Sequence, residues 1–386
     1  MDKKKVLFVA TVVKTHINVF HLPYLQWFQE QGYETHVAAK NDFGDEECII
    51  PYCDVHYDIP FERSPISKNN IKSYKTLKKI IDDNKYDIIH CHTPVGAMLT
   101  RLAAIGARKR GAKVIYTAHG FHFYKGAPLI NWLIYYPVEK ICSYFTDILI
   151  TITKEDYALA KKKMKAKQIE YVPGVGVDTE KFSIIKTDRK EKRKELGIPE
   201  GAIMLLSVGE LNKNKNHEIV IKALDKIDNT DIYYCIAGQG DLKKDLEDLI
   251  NTTHMKERIQ LLGFRKDVQE LCEIADVFVF PSHREGLSVA LMEAMATGLP
   301  IICSNIRGNV DLVEEGKGGI LCKSNSVDDF VSGIEKVIYN KNIVKQMRIY
   351  NKEFIKQVDL KNIKTKMNKI YGDIINKEDE ENTEAN

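Results

Sequence analysis

This sequence predicts an α/β chain of two doubly wound, parallel-sheet domains, on three observations. Short apolar runs alternate with amphipathic stretches almost from end to end. The alternation breaks once, near Asp178, and then restarts. The 386 residues exceed what one ordinary core accommodates and suit two domains of average size.

In the first half, strand-like runs lie at 5–10 (KVLFVA), 34–39, 87–93 (DIIHCHT), 113–119 (KVIYTAH), 147–153 (DILITIT) and 169–173. Helix-like stretches at 18–31, 71–84, 96–110, 129–145 and 154–165 carry apolar residues at three- and four-residue intervals. In the second half, strands are expected at 203–208, 232–237, 259–263, 277–281, 300–304 and 319–322. The helices between them are expected at 216–227, 241–253, 267–275, 288–297 and 327–340. Continuous apolar strands separated by helices are βαβ units, hence parallel sheets covered on both faces. The expected domains are 1–177 and 201–357, joined by a charged linker region at 178–200. A helix at 358–376 is expected to pack back on the first domain, and the acidic tail 377–386 to be disordered.

The bulk numbers exclude several classes. Fifty-seven basic residues nearly balance 54 acidic ones, so the net charge of +3 lacks the basic excess of a nucleic-acid binder. The start, Met1-Asp2-Lys3-Lys4-Lys5, leads into too short an apolar run for a signal peptide. No run approaches the ~18–20 apolar residues that cross a bilayer. The expectation is a cytoplasmic protein, at most resting on a membrane surface. Eight scattered cysteines without a C-x-x-C read as reduced, buried small hydrophobes. In a strand, Cys91 faces away from His90 and His92, which argues against a metal cluster in His90-Cys91-His92.

Ligands of open parallel sheets bind beyond the carboxyl ends of the strands, so the loops there, and the cleft between two such domains, are where chemistry is expected. The most informative is Pro281-Ser282-His283-Arg284-Glu285-Gly286-Leu287-Ser288, followed by a helix from Val289. Gly286 lets a ligand approach the backbone, and Ser288 is a plausible N-cap of a phosphate-attracting helix N-terminus. Glu285 can accept hydrogen bonds from sugar hydroxyls, and Glu293 can accept both hydroxyls of a ribose. Taken singly, either acid reads more simply as an ordinary surface or capping residue; the whole strand–loop–helix unit is what points to a site. His119, at the carboxyl end of a strand before Gly120, is a second candidate, open to a structural reading. His90, His92 and His122 read more simply as structural. The third candidate is the loop 207–217, where Lys213 or Lys215 after Gly209 could neutralise a diphosphate leaving group or merely be solvated.

These motifs together resemble the retaining glycosyltransferases of family four, whose two-domain architecture is GT-B. The family's E-x7-E is matched by Glu285 and Glu293 within PSHREGLSVALMEAMATGLPII. Further matches are His119-Gly120, the hinge PGVGVDTEKF at 173–182, and Leu262-Gly263-Phe264; the likeness spans roughly 4 to 370. The stretch TAHGFHFYKGAP is similar to the branch that builds bacterial capsule, exopolysaccharide and cell-surface glycans.

The resemblance implies that Glu285 contacts the donor sugar near the amides of Gly286 and Leu287. Ser288 and Val289 would hold the phosphates, Glu293 the ribose, and Gly263 and Phe264 would lie near the base. His119 would stand at the reaction centre and Lys215 at the diphosphate, beside Gly209. It implies a UDP-sugar donor and retention at the anomeric carbon. It further implies a polyprenyl-diphosphate-linked saccharide acceptor, with peripheral membrane contact. A basic run (Lys161-Lys162-Lys163, Lys165, Lys167) and the aromatic stretch 129–145 fit that contact, and fit a solvated helix and a core helix as well. No D-x-D occurs in a suitable loop, so no cofactor and no obligatory metal are expected.

Two departures stand out. Glu210 replaces the family's usual arginine, with Lys213 as a possible substitute. The family's early glycine pair is replaced by Val12-Val13-Lys14-Thr15-His16. The rival readings are a nucleotide-sugar 2-epimerase of the same architecture and a non-catalytic nucleotide-sugar-binding protein. A nicotinamide oxidoreductase is disfavoured because VATVVKTH stands where G-x-G-x-x-G belongs.

Overall fold

The computed structural model describes residues 3–384 apart from 63, 65, 66 and 185, with side chains described as far as 376. It divides into two compact units, residues 1–173 with 363–386, and residues 174–362.

The first unit holds seven parallel strands: β1 (Lys5–Val12), β2 (Glu34–Lys40), β3 (Val55–Asp58), β4 (Ile88–His92), β5 (Lys113–Ala118), β6 (Ile148–Thr151) and β7 (Gln168–Tyr171), in the order β3-β2-β1-β4-β5-β6-β7. The strand order reverses between β1 and β4, the switch point at which open α/β sheets take ligands. β3 is absent from the sequence expectation because Val-His-Tyr-Asp has no apolar run; it is a half-exposed edge strand.

Two cores cover the two faces of this sheet. One contains Leu7, Ile89, Cys91 and Tyr116. The other contains Val6, Phe8, Phe28 and Ile115, and is closed by Ile363, Met367, Ile370 and Tyr371 of the terminal helix Leu360–Glu384. The Tyr371 hydroxyl lies 2.8 Å from His90 Nδ1, deep in that core. The helix runs on through 377–384, within the segment expected to be disordered; Lys and Glu are intrinsically good helix formers. Residues 385–386 lie outside the described residues.

The second unit holds six parallel strands: β8 (Ile203–Val208), β9 (Ile232–Ala237), β10 (Ile259–Gly263), β11 (Val277–Phe280), β12 (Ile301–Ser304) and β13 (Gly319–Cys322), in the order β10-β9-β8-β11-β12-β13. Its switch point falls between β8 and β11. The charged stretch expected to form a linker belongs to this unit. It forms the helices Thr179–Ser183 and Arg189–Glu195, and the fully buried Arg193 donates to the carbonyls of Ile274 and Ala202. A charge run looks solvated in sequence; that one of its arginines satisfies buried carbonyls is a tertiary fact. All eight cysteines are free, six of them buried.

Tyr371→Ala should cost the first unit about 3–5 kcal/mol, the usual range for deleting a buried aromatic side chain. Tyr371→Phe, which only removes the partner of His90, should cost about 1–3 kcal/mol. Urea unfolding followed by circular dichroism checks both, and equal costs would count against the hydroxyl contact.

Candidate functional site

In the second unit, the loops leaving β8 and β11 at the switch point are stitched together. The Asn214 side-chain amide donates to Arg284 O at 2.9 Å, and His283 N donates to Asn214 O at 2.8 Å. Asn216, in the left-handed region at φ 54°, donates to Pro281 O and Ser324 O. Across this seam Lys215 Nζ reaches Glu285 Oε1 at 2.7 Å and lies 4.8 Å from the Phe280 ring centroid. The aliphatic part of Lys215 runs over Gly209, where a Cβ would sit 3.2 Å from it. Lys215 and Glu285 therefore face each other as a partly buried pair, and an anion arriving at Lys215 competes directly with Glu285.

Ser288 caps the helix Val289–Ala296, its hydroxyl accepting from Leu291 N. The first-turn amides of such a helix have no partners within it and favour negative charge. Leu287 is buried against Gly174. Gly308, at φ 85°, passes so close that a Cβ there would meet Gly286 O at 1.7 Å. The Glu285-Gly286 loop is thus held in place by packing as well as by the asparagines.

Glu293 lies on the same helix, in the wall of a cavity of about 660 Å³ with Lys181, Thr187, Lys266 and Gln269. Burial pushes its carboxyl up to about 7, against the opposing pull of Lys181. A carboxylate kept in a site that disfavours its charge is a mark of function rather than of stability. Gly263 adopts φ 68° at the end of β10 and its carbonyl accepts from Gly238 N. Phe264 beside it is 66% exposed, a large ring left without cover. Lys213 is exposed and lines a different cavity with Leu242 and Asp245, and Glu210 is bonded to Asn212. No contact brings Lys213 to Glu285 among the described residues.

The first unit gathers histidines at its own switch point. His119 follows β5, His92 ends β4, His16 lies within a π-helical turn, Val13–Ile17, that continues β1, and His21 follows that turn. Their ring nitrogens approach within 4.8 Å of one another. Burial, with help from the neighbouring rings, holds His16 down to about 3 and His21 and His92 well below the usual imidazole range; burial alone holds His119 down to about 4. Cys91 does point to the opposite core, as the strand alternation requires. Thr93, immediately after His92, sits at φ 62°, and its hydroxyl lies 2.7 Å from that of Thr11. Such strain in a non-glycine residue is typical of functional positions. Beside it opens a largely apolar cavity of about 390 Å³, lined by Thr11, His16, Met98, Phe121, Tyr135 and Glu139.

Residues 188–354 match the family described as glycosyl transferases group 1, and residues 5–153 match glycosyl transferase 4-like. A putative glycosyltransferase, EpsD of Bacillus subtilis, is 40% identical over 350 residues, covering 89% of this chain and 90% of the relative. The chain is a family 4 glycosyltransferase. An Escherichia coli relative, UDP-Gal:alpha-D-GlcNAc-diphosphoundecaprenol alpha-1,3-galactosyltransferase, is 36% identical over 70% of this chain and 71% of its own length. Among solved structures, Anabaena HepE in complex with UDP and glucose matches with a TM-score of 0.77 at 17% identity, covering 96% of this chain and all of that one. Sucrose-phosphate synthase from Thermosynechococcus elongatus matches at 0.78 and 16% identity, over 97% and 99%. The fold of this glycosyltransferase is GT-B.

Of the residues singled out in sequence, Glu285, Gly286, Leu287, Ser288, Val289, Lys215 and Gly209 share the β8–β11 edge of the second unit, whereas His119 belongs to the first. Sequence reading missed Asn214, Asn216 and Gly308. The Asn-Lys-Asn-Lys-Asn run from Asn212 was a visible signal for the first two; nothing local marks Gly308.

Two outcomes test the glycosyltransferase site. Gly308→Ala should displace the Glu285-Gly286 loop and abolish donor turnover while the second unit stays folded by circular dichroism. Glu293 carries a folded pKa of about 7 against 4.5 unfolded, so its contribution to stability is fully present below pH 4.5 and lost as pH rises through 7. The loss is at most about 3 kcal/mol. Glu293→Gln should therefore melt higher than the parent at pH 8 and lose the decline between pH 5 and 8.

Proposed function

We propose that the enzyme transfers a hexose or N-acetylhexosamine from a UDP-sugar, with retention, onto a polyprenyl-diphosphate-linked saccharide in bacterial surface polysaccharide synthesis. The observation that carries this reading is the Lys215–Glu285 pair at 2.7 Å beside a Ser288-capped helix N-terminus. One group neutralises phosphate, one accepts from hydroxyls, and the helix start adds amides for the second phosphate. Glu293, kept near neutral pKa by burial, accepts the ribose hydroxyls, and Phe264 offers its exposed ring to the base. The name of the Escherichia coli relative supports both the UDP-sugar and the lipid-diphosphate acceptor.

In the reaction, the anomeric carbon's bond to the diphosphate breaks while the acceptor oxygen bonds to the same face of that carbon. The acceptor's proton passes to the departing phosphate oxygen. Lys215 and the first-turn amides stabilise the charge that develops there, and His119 positions the reacting sugar. These groups supply that stabilisation without a metal ion at the diphosphate.

We further propose that the first unit rests on the cytoplasmic face of a membrane. No helix among the described residues is long and apolar enough to cross one. The helix Leu129–Ser143 nonetheless exposes Leu129 (73%), Leu133 (64%) and Ile141. Lys140 near its end touches Lys163 O, so the exposed Lys161, Lys162 and Lys163 adjoin this apolar face. Apolar side chains beside lysines are the pairing that anionic lipid surfaces bind.

With a panel of UDP-sugars, one donor should yield UDP that rises steeply when the lipid-linked acceptor is added and vanishes in Glu285→Ala. Interconversion of the sugar without acceptor, or tight UDP-sugar binding without turnover, would instead identify an epimerase or a sensor. In vesicle co-sedimentation, the chain should pellet with phosphatidylglycerol-containing vesicles and not with phosphatidylcholine alone. The double change Leu129→Glu, Leu133→Glu should leave it in the supernatant; unchanged pelleting would sink the membrane assignment.

A further inference from the structure

None of the residues assigned to the donor lines the cavity of about 390 Å³ in the first unit. Its size falls in the range of small-molecule sites, about 300–1,000 Å³. Its walls include Val95 and Met98 of the helix Pro94–Ala103, Phe121 and Phe123 of the loop after β5, and Ile134 and Val138 of the helix Leu129–Ser143. No lysine or arginine lines it among the described residues. The carboxylate in its wall, Glu139, is paired with the buried Arg101 at 2.8 Å. Such walls offer an anion nothing to bind and offer a hydrocarbon apolar surface to cover.

Close-packed interiors keep a hollow of this size only where something holds the walls apart. Side-chain ties do so here. The Arg101–Glu139 pair joins the two helices, with the guanidinium stacked 4.1 Å from the Tyr116 ring. The Asn131 side-chain amide donates to His122 O at 3.0 Å and Trp132 Nε1 to Tyr124 O at 3.3 Å, which fixes the loop after β5 to the second helix. His122 also stacks on Tyr135, with ring centroids 4.6 Å apart. The cavity meets the carboxyl edge of β1, β4 and β5 at Thr11, Thr93 and Gly120, one residue from His119. It also reaches Ile134, half-exposed on the helix whose Leu129 and Leu133 face outward. An apolar passage therefore joins the strand edge to the helix assigned to the membrane surface.

We propose that this cavity holds the first isoprenoid units of the lipid-linked acceptor, so that the enzyme grips the prenyl chain as well as the saccharide. The proposal rests on the acceptor class of the preceding section. A saccharide joined through a diphosphate to a prenyl chain changes from polar to apolar along its length, and the site changes in the same order. Thr11, Thr15 and Thr93 bring hydroxyls to the strand edge, the hydrocarbon walls follow, and the outward-facing helix comes last. The saccharide and diphosphate stay at the edge. The methyl branches of a prenyl chain fill width that a straight acyl chain of the surrounding phospholipid leaves empty, and empty space forfeits contacts. A chain leaving the bilayer for the cavity exchanges one apolar surrounding for another. What the cavity adds is orientation, since a fixed chain presents its saccharide to the edge in one direction.

The test titrates the full chain with farnesyl phosphate, kept below its micelle concentration in vesicle-free buffer, by isothermal titration calorimetry. Binding should saturate at a single molecule per chain, and inorganic phosphate should give no binding heat. Dodecyl phosphate, a straight chain of the same backbone length, should bind about tenfold more weakly or worse. Met98→Trp fills the cavity and should weaken farnesyl phosphate by about tenfold or more, since each methylene kept from burial is worth about fourfold. If Met98→Trp fails to fold by circular dichroism, Val138→Phe, at a half-buried wall position, takes its place. The filled variant should pellet with phosphatidylglycerol-containing vesicles to the same extent as the parent, because the helix face that meets them is unchanged. Neither UDP-sugar nor saccharide is present, so failure here is distinct from failure of the transferase reading, which UDP release reports. A folded parent chain that shows no saturable binding overturns the proposal. So do equal affinities for farnesyl and dodecyl phosphate, and so does undiminished binding in a folded, cavity-filled variant.

Discussion

Parallel pairing of strands is the constraint from which the rest of this enzyme follows. A parallel neighbour can be reached only by a crossover, so each strand must be followed by a segment that returns over one face of the sheet. All carboxyl ends then lie on one edge. Where strand order reverses, at β1/β4 in one unit and β8/β11 in the other, adjacent loops leave in opposite directions and a crevice opens. Every residue to which chemistry is assigned stands at or beside such an edge. Glu285 and Lys215 leave β11 and β8, and His119 leaves β5.

The two edges use burial in different ways. In the second unit charge is retained: a lysine and a glutamate hold each other at 2.7 Å, and a ligand bearing both phosphate and hydroxyls offers each a better partner. Glu293 is left more costly, with burial working against its ionisation and only Lys181 favouring it. In the first unit charge is disfavoured, because burial holds His21 and His92 well below the usual imidazole range. The first arrangement suits an anionic, hydroxyl-rich molecule.

Stability and function are also coupled through the chain ends. The terminal helix leaves the second unit at Asn362 and completes a core of the first, where Tyr371 closes on His90 and His90 in turn lies behind His92. The segment 174–200 is similarly more than a connector. Its buried Arg193 ties it to the second sheet, and its Lys181 is the charge that acts on Glu293.

Local rules were enough for most of the architecture. Twelve of the thirteen strands stand out as apolar runs, because a strand buried on both faces must be apolar throughout. β3 escaped because an edge strand need not be. The Glu285–Glu293 helix was legible for a similar reason: Ser288, Gly298 and Pro300 punctuate it with cap and stop residues whose effect is local. The sequence by itself therefore determined the two sheets, the order of their elements and the glycosyltransferase motif. What it could not carry were facts that depend on residues far apart meeting. Arg193 reads as solvent-facing charge until carbonyls near Ile274 and Ala202 are placed over it. The helix at Leu129 reads equally as core or as surface contact until its neighbours are found to leave it uncovered. His92 reads as a structural strand residue, and only the tertiary structure sets it beside His16, His21 and His119. Periodicity reports which face a side chain takes; only the assembled fold decides what waits on that face.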